Sequence, residues 1–289
     1  MRISVTHSTI YRYDSPVWPE PHTFRLKPRQ DAAQRLIQHQ LQILPAPAGS
    51  VECLDQDGNL VLEAWFDSPL AQMSVASSFT VETLRENPFD FLLTGPGAAP
   101  LPMVYPELLG RALTPYLATR GLSPAARKLA ERTLQQSGGQ PMAFLAALNG
   151  TLFDSFAHVV REDGAPHEPE TTIATREGTC RDLAVLFCAA ARAAGIAARF
   201  VSGYEREAAL QERAYMHAWA EVYLPGGGWR GFDPSQGLAV AASHVTVAAA
   251  AEPSMAAPVS GTFRGEARSR MQFAIAMQAD ASPIPPAVI

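Results

Sequence analysis

The stretch GTCRDLAVLFCAAARAAG, residues 178–195, decides how the rest of the chain is read. Thr179 and Asp182 stand in capping-box spacing, a hydroxyl followed three residues later by a carboxylate, which marks a helix start. Leu183 to Ala194 is nearly all apolar, so the helix is buried, and Gly195 is placed to end it. Cys180 is then the first residue of a buried helix. Unpaired backbone N–H groups and the helix dipole favour negative charge there, which stabilises thiolate over thiol. An ordinary thiol has a pKa of ~8.5, and such a position brings it toward neutrality. The same N–H groups suit an oxyanion, because donors fixed at a helix start need no reorganisation.

A thiolate needs a base, and HAWAEVYLPGGGWRGFDP (217–234) supplies one on a predicted hairpin. His217, Trp219, Glu221 and Tyr223 alternate onto one face, Pro225-Gly226-Gly227-Gly228 turns the chain, and Trp229 to Asp233 returns. Directly opposed hairpin residues have a constant index sum, and only an even sum puts His217 and Asp233 on one face. A four-residue loop, 225–228, gives an odd sum. A three-residue loop, 225–227, opposes Leu224 to Gly228 and Trp219 to Asp233, with His217 the diagonal neighbour at ~7–8 Å. The expectation is therefore an odd-length loop with Gly227 or a neighbouring glycine in the left-handed region. Pro234 keeps Asp233 extended.

Composition narrows the classes. The chain has 289 residues and 47% apolar side chains, enough for one large core or two smaller ones, and two domains is the expectation. Twenty-eight acidic against 23 basic residues, spread along the chain, argue against nucleic acid as a partner, which needs concentrated Lys and Arg. Three cysteines make no disulfide framework, which points to a reducing compartment and one thiol kept for reactivity. No secretory signal or membrane-length apolar run is present, so a cytoplasmic protein with no membrane partner is expected.

The front of the chain reads as strands: Ile3 to Tyr13, then Ile37, His39, Leu41 and Ile43, a hairpin over Val51 to Phe66 turning at Asp57-Gly58, and Val75 to Val81. Short strands at this spacing suggest a β-sandwich. Four segments follow: a β-rich domain at 1–86, a Pro/Gly-rich connector at 87–122, a catalytic core with C-terminal strands at 123–280, and a frayed tail at 281–289. Within the core, Ser123-Pro124 caps one helix, Gly138-Gly139 stops it, and Phe144, Leu145, Leu148 and Leu152 mark another.

Cys180, His217 and Asp233, in this order and spacing, resemble the transglutaminase-like superfamily, a papain-like Cys-His-Asp group. The likeness rests on GTCRDLAVLFCAAARAAGIAARFVSGY (178–204) and HAWAEVYLPGGGWRGFDPSQG (217–237). YRYDSPVWPEPHTFRLKPR (11–29) and DGNLV (57–61) resemble the β-rich region before this core in one bacterial branch, and APVSGTFRG (257–265) its C-terminal continuation. The resemblance implies an α+β fold, a helix bundle packed on an antiparallel sheet behind the β-sandwich. It also implies a cysteine-dependent acyl-transfer enzyme on peptide or carboxamide bonds, tilted toward hydrolysis. An amine-accepting transglutaminase is the alternative. A non-catalytic scaffold and an enzyme active only in a complex or as an oligomer are the other readings. Two positions depart from the branch: Arg181 stands where Gln is common, and His158 where Tyr is expected. With Trp219, these are the candidates for oxyanion or substrate contacts.

No cofactor or metal is implied, since Cys180, His217 and Asp233 lack a close ligand pair of the kind zinc sites use. Cys188 and Cys53 read as structural. His7, His22, His39, His167 and His244 read as surface or satisfied side chains, as does His158 taken alone. Trp229 reads as packing and Glu221 as facing solvent.

Overall fold

The computed structural model describes residues 1–119, 122–206 and 214–280. The expected frayed tail, 281–289, lies outside them. The front half builds two antiparallel sheets. Strands β1 (Arg2–Pro19), β2 (His22–Phe24), β3 (Gln34–Leu44), β4 (Gly49–Leu54), β5 (Leu60–Trp65) and β6 (Leu70–Thr83) follow in order. Strand β6 lies between β1 and β3 in one sheet, and β5 between β2 and β4 in the other. The two sheets share a core of Phe24, Leu26, Ile43, Ala64, Leu70, Met73 and Val75. The alternation expected for Ile3, Val5, His7 and Thr9 holds, all four being buried. It fails at Ile37, which is exposed: a bulge between Leu36 and Gln38 inserts one residue and sends Ile37 outward.

The connector carries two short helices, α1 (Glu107–Ala112) and α2 (Thr114–Leu117). Helix α3 (Pro124–Gln136) starts where Ser123 accepts from the Ala126 N–H with Pro124 in the first turn. Helix α4 (Pro141–Ser155) buries Phe144, Leu145, Leu148 and Leu152. Strand β7 (Ala157–His158), helix α5 (Pro169–Thr175) and strand β8 (Glu177–Gly178) lead into α6 (Cys180–Ala193). Helix α6 is the centre of the largest core, packed among Phe144, Leu148, Val222 and Phe232. Its apolar content predicts that position: a helix with this little polar surface is stable only when covered.

Strands β9 (Ala198–Glu205), β10 (His217–Leu224), β11 (Gly228–Asp233), β12 (Leu238–Ala239) and β13 (His244–Ala250) form the core sheet, in the order β12-β11-β10-β9-β13. The architecture is thus α+β, with helices on an antiparallel sheet behind a β-rich front. The last strands, β14 (Val259–Ser260), β15 (Phe263–Arg264) and β16 (Ser269–Asp280), were expected with the core, but they pair with the front sheets. Strand β16 runs along β1 from Arg2↔Asp280 to Tyr13↔Ser269. Its alternating pattern suits an edge strand half covered on one face, the place it takes beside β1.

The front and core sheets meet at Ile3, Val5, Phe79, Val81, Tyr204, Val245 and Val247. Two side-chain amides pin edge strand β13. Asn59 accepts from the Ala249 N–H at 2.8 Å and donates to its carbonyl at 3.0 Å. Gln34 does the same at Thr246, 2.8 Å in each direction. These bonds satisfy an edge that would otherwise expose unpaired backbone groups. Among the described residues no helix is long and apolar enough to cross a membrane.

Candidate active site

Cys180 opens α6, as the capping-box spacing requires. Thr179 accepts from the Asp182 N–H, and Asp182 accepts from the Thr179 backbone N–H at 2.8 Å. Asp182 is fully buried and receives a bidentate Arg161 guanidinium, both bonds at 2.9 Å, and the His167 N–H at 2.7 Å. Burial alone would raise the Asp182 carboxyl. The Arg161, His167 and Thr179 donors outweigh it and hold the group down to about 2. Asp182 is thus an anchor for the helix start.

The hairpin has the register the parity argument demands. Leu224 opposes Gly228 and Ala220 opposes Phe232, so the loop is 225–227. The left-handed residues are Gly226 (φ 88°) and Gly228 (φ 68°), the neighbours of Gly227. The connector packs on this loop, with the Thr94 N–H donating to the Pro225 carbonyl at 3.0 Å. A Cβ on Gly226 or Gly227 would strike Leu92 or Phe91.

On that register His217 Nε2 donates to Asp233 Oδ2 at 2.6 Å, and both residues are buried. Nδ1 is the nitrogen left for Cys180, which hydrogen-bonds His217. The opposing effects on each group are clear in direction. Burial works against the His217 cation, but the Asp233 charge and hydrogen bond, then Cys180, raise it well above the ordinary imidazole value. Burial would raise the Cys180 thiol. Hydrogen bonds from His158 and His217, the His217 charge and the Ala218 N–H hold it at about 6 instead. At neutral pH the pair is therefore thiolate and imidazolium. Asp233 is held far below the usual carboxylate range, despite burial, by His217 and His244.

His244 is the residue that sequence reasoning missed. Its Nε2 lies 3.2 Å from Asp233 Oδ2, and Ser243 Oγ lies 3.0 Å from its Nδ1. Ser235 completes the carboxylate, its N–H and hydroxyl donating to Oδ1 at 3.0 and 2.7 Å. The signal was faint because β13 is two strands away from β10. Gly203 on the intervening β9 opposes both His217 and Thr246, a Cβ there would strike the Val245 carbonyl and the Trp219 ring, and the two imidazoles lie 6.1 Å apart. Donor atoms of His217, Asp233 and His244 lie within 4.8 Å of one another, a spacing a metal could use. The carboxylate already accepts from both Nε2 atoms, so hydrogen bonding accounts for the cluster.

The three secondary candidates separate. His158 reaches the thiol through a parallel bridge, with His158 beside Gly178 and the Val159 N–H donating to the Gly178 carbonyl at 3.0 Å. Arg181 turns to the preceding loop and donates to the carbonyls of Arg161 and Asp163 at 2.8 and 2.9 Å. Trp219 is fully buried, stacked behind His217 and edge-on to His244, and is absent from the cleft wall. Two further expectations change. Glu221 faces Arg199, not solvent, at 2.6 Å. Cys53 sits exposed on edge strand β4. His7 is a satisfied side chain as expected, buried with its ring nitrogens at the Tyr204 and Thr9 hydroxyls. Cys188 is buried as expected, and burial pushes its thiol up to about 12.

A buried helix that starts at a low-pKa cysteine, set against a histidine and aspartate on a hairpin, defines a papain-like arrangement of thiol, imidazole and carboxylate. Residues 127–234 match the transglutaminase-like superfamily, and residues 3–82 match the bacterial transglutaminase-like N-terminal region. The chain thus carries a transglutaminase-like core behind a bacterial transglutaminase-like N-terminal region. It is 24% identical over 281 residues to an uncharacterized protein of Mycobacterium leprae, covering 95% of this chain and 97% of that one. Over 127 residues, 40% of this chain and 19% of the relative, it is 34% identical to a protein-glutamine gamma-glutamyltransferase of Pseudomonas aeruginosa. A crystal structure of a candidate cysteine protease from Cytophaga hutchinsonii superposes with a TM-score of 0.71 at 22% identity, covering 98% of this chain and 93% of that chain. That likeness establishes the transglutaminase-like fold.

Proposed function

We propose that the chain is a cysteine-dependent acyl-transfer enzyme acting on peptide or carboxamide bonds, with Cys180, His217 and Asp233 as its triad and water as the preferred acceptor. The observation that carries this is the 2.6 Å His217 Nε2–Asp233 bond, which leaves Nδ1 to a thiol held at about 6. The Cys180 sulfur attacks the carbonyl carbon, and the Cys180 backbone N–H at the helix start stabilises the oxyanion. The imidazolium gives its Nδ1 proton to the leaving nitrogen as the C–N bond breaks, leaving a thioester. Nδ1 then takes a proton from water, the hydroxide attacks, the C–S bond breaks and the ion pair is restored.

The name of the Pseudomonas relative favours a second acceptor, a primary amine, which would attack the same thioester. A non-catalytic scaffold is disfavoured by the complete Cys-His-Asp set. The test has two parts. Iodoacetamide labelling of Cys180 is followed against pH by mass spectrometry, with faster labelling than Cys53 and Cys188 below pH 7, lost in His217→Ala, as the expected result. Acyl-donor peptides are then incubated with and without a primary amine. Products that remain hydrolytic at high amine support the hydrolase, and amide products support the transferase. Equal labelling of all three thiols would sink the nucleophile assignment.

A further inference from the structure

Cys180, His158 and His217 line a cavity of about 660 Å³, one wall of which comes from the front of the chain. That wall is a panel of three directly opposed pairs on β1 and β16: His7 with Ile275, Thr9 with Phe273, and Tyr11 with Met271. Opposed residues of an antiparallel pair point to the same face, so these six side chains form one surface. Two of the polar members, His7 and Thr9, have their polar atoms taken up by one another and by Tyr204. His7 has one ring nitrogen 2.7 Å from the Tyr204 hydroxyl and the other 3.1 Å from the Thr9 hydroxyl. Burial pushes its pKa down to about 4, so the ring is neutral at physiological pH. Phe273 lies edge-on to His7 and to Tyr215.

The nearest cations are committed elsewhere, Arg161 to Asp182 and Arg181 to two backbone carbonyls. The volume falls within the ~300–1,000 Å³ of small-ligand sites and suits a short peptide segment or a substituted amide, not a folded partner. A largely apolar wall continuous with a nucleophile calls for an occupant.

We infer that the β1/β16 panel is a specificity subsite that takes an aliphatic or aromatic substituent of the acyl donor while Cys180 attacks its carbonyl. The inference rests on the nucleophile reading of Cys180 above. The front region is then a wall of the active site.

The test compares alkylation of the full chain at pH 7 by iodoacetamide and by N-(2-phenylethyl)iodoacetamide. In both, sulfur displaces iodide, forming C–S as C–I breaks. Exposed Cys53 serves as the internal reference. At Cys180 the phenylethyl reagent should gain about tenfold or more over the parent, relative to Cys53, the scale of discrimination of an apolar pocket. Phe273→Gln and Ile275→Gln should each reduce that gain severalfold and leave the iodoacetamide rate at Cys180 unchanged. A reagent of similar length ending in a carboxylate should gain nothing. Preferential Cys180 labelling without a phenylethyl gain, a gain untouched by both variants, or an equal gain with the carboxylate would overturn the subsite while leaving the nucleophile standing. Absence of preferential Cys180 labelling by iodoacetamide would overturn both.

Discussion

Replacing His158 with alanine removes a hydrogen bond that favours the Cys180 thiolate. A hydrogen bond to a charged group is worth ~1.5–3 kcal/mol, and about 1.4 kcal/mol corresponds to one pH unit. His158 is exposed, so water takes over part of the bond and the lower end of that range applies. The expected displacement is about one pH unit upward. With the native thiol held at about 6, the thiolate fraction at pH 6 falls from about one half to about one tenth. Iodoacetamide labelling of Cys180 should slow ~fivefold at pH 6 and match the native rate near pH 9, where both thiols are ionised. Mass spectrometry resolves Cys180 from the exposed Cys53, whose profile serves as the control. His158→Gln keeps a donor and should recover most of the acid-side rate. An unmoved acid limb in His158→Ala would refute the reasoning. So would a fall of equal size at every pH, since that reports damage to the helix start.

Other substitutions probe the remaining supports. Asp233→Asn removes the charge that sustains the His217 cation, so turnover should fall ~10³–10⁴-fold in a hydrolysis assay and the acid limb should move upward. His244→Phe leaves Asp233 Oδ2 with His217 alone, and a rise in the alkaline limb of the pH–rate profile is expected because the carboxylate is less shared. Asp182→Asn should cost about 3 kcal/mol in urea unfolding at pH 7. The native carboxyl is depressed to about 2, so its contribution is present above the unfolded value of ~3.9 and lost as pH falls through about 2. The difference between native and Asp182→Asn should shrink over that window. Gly203→Ala puts a Cβ into the Val245 carbonyl and the Trp219 ring, and should lower stability by ~2 kcal/mol or more in thermal unfolding.

What was legible in the sequence was local. The Thr179–Asp182 spacing gave the start of α6 because a capping box is a short-range hydrogen-bond pattern. The 225–227 loop and the meeting of His217 with Asp233 followed from parity, since a side-chain period of two admits one answer. What was hidden depends on chain segments far apart. Strand β16 returns to β1 across more than two hundred residues, and nothing in its alternation says which edge it takes. The bulge at Ile37 is set by its partner β6. His244 reaches Asp233 only because β13 docks beside β9, with His244 opposite Glu205.

These long-range features converge on the same place, which explains why the front region accompanies the core. Gln34 and Asn59 bind the backbone of β13 at Thr246 and Ala249, and β13 begins with His244. His244 in turn shares the carboxylate that orients His217. The front region thus fixes, through one amide from β3 and one from the turn before β5, the strand that carries one donor to Asp233. Further along the same face of β1 and β16, past Ile3 and Val5, the panel from His7 to Tyr11 lines the cavity that holds Cys180. A core cut free of residues 1–86 would keep the α6 start and the 225–227 register, because both are local. It would lose the clamps on β13 and the wall facing the thiol, so the nucleophile would survive as a reactive cysteine while its aim and selectivity would not.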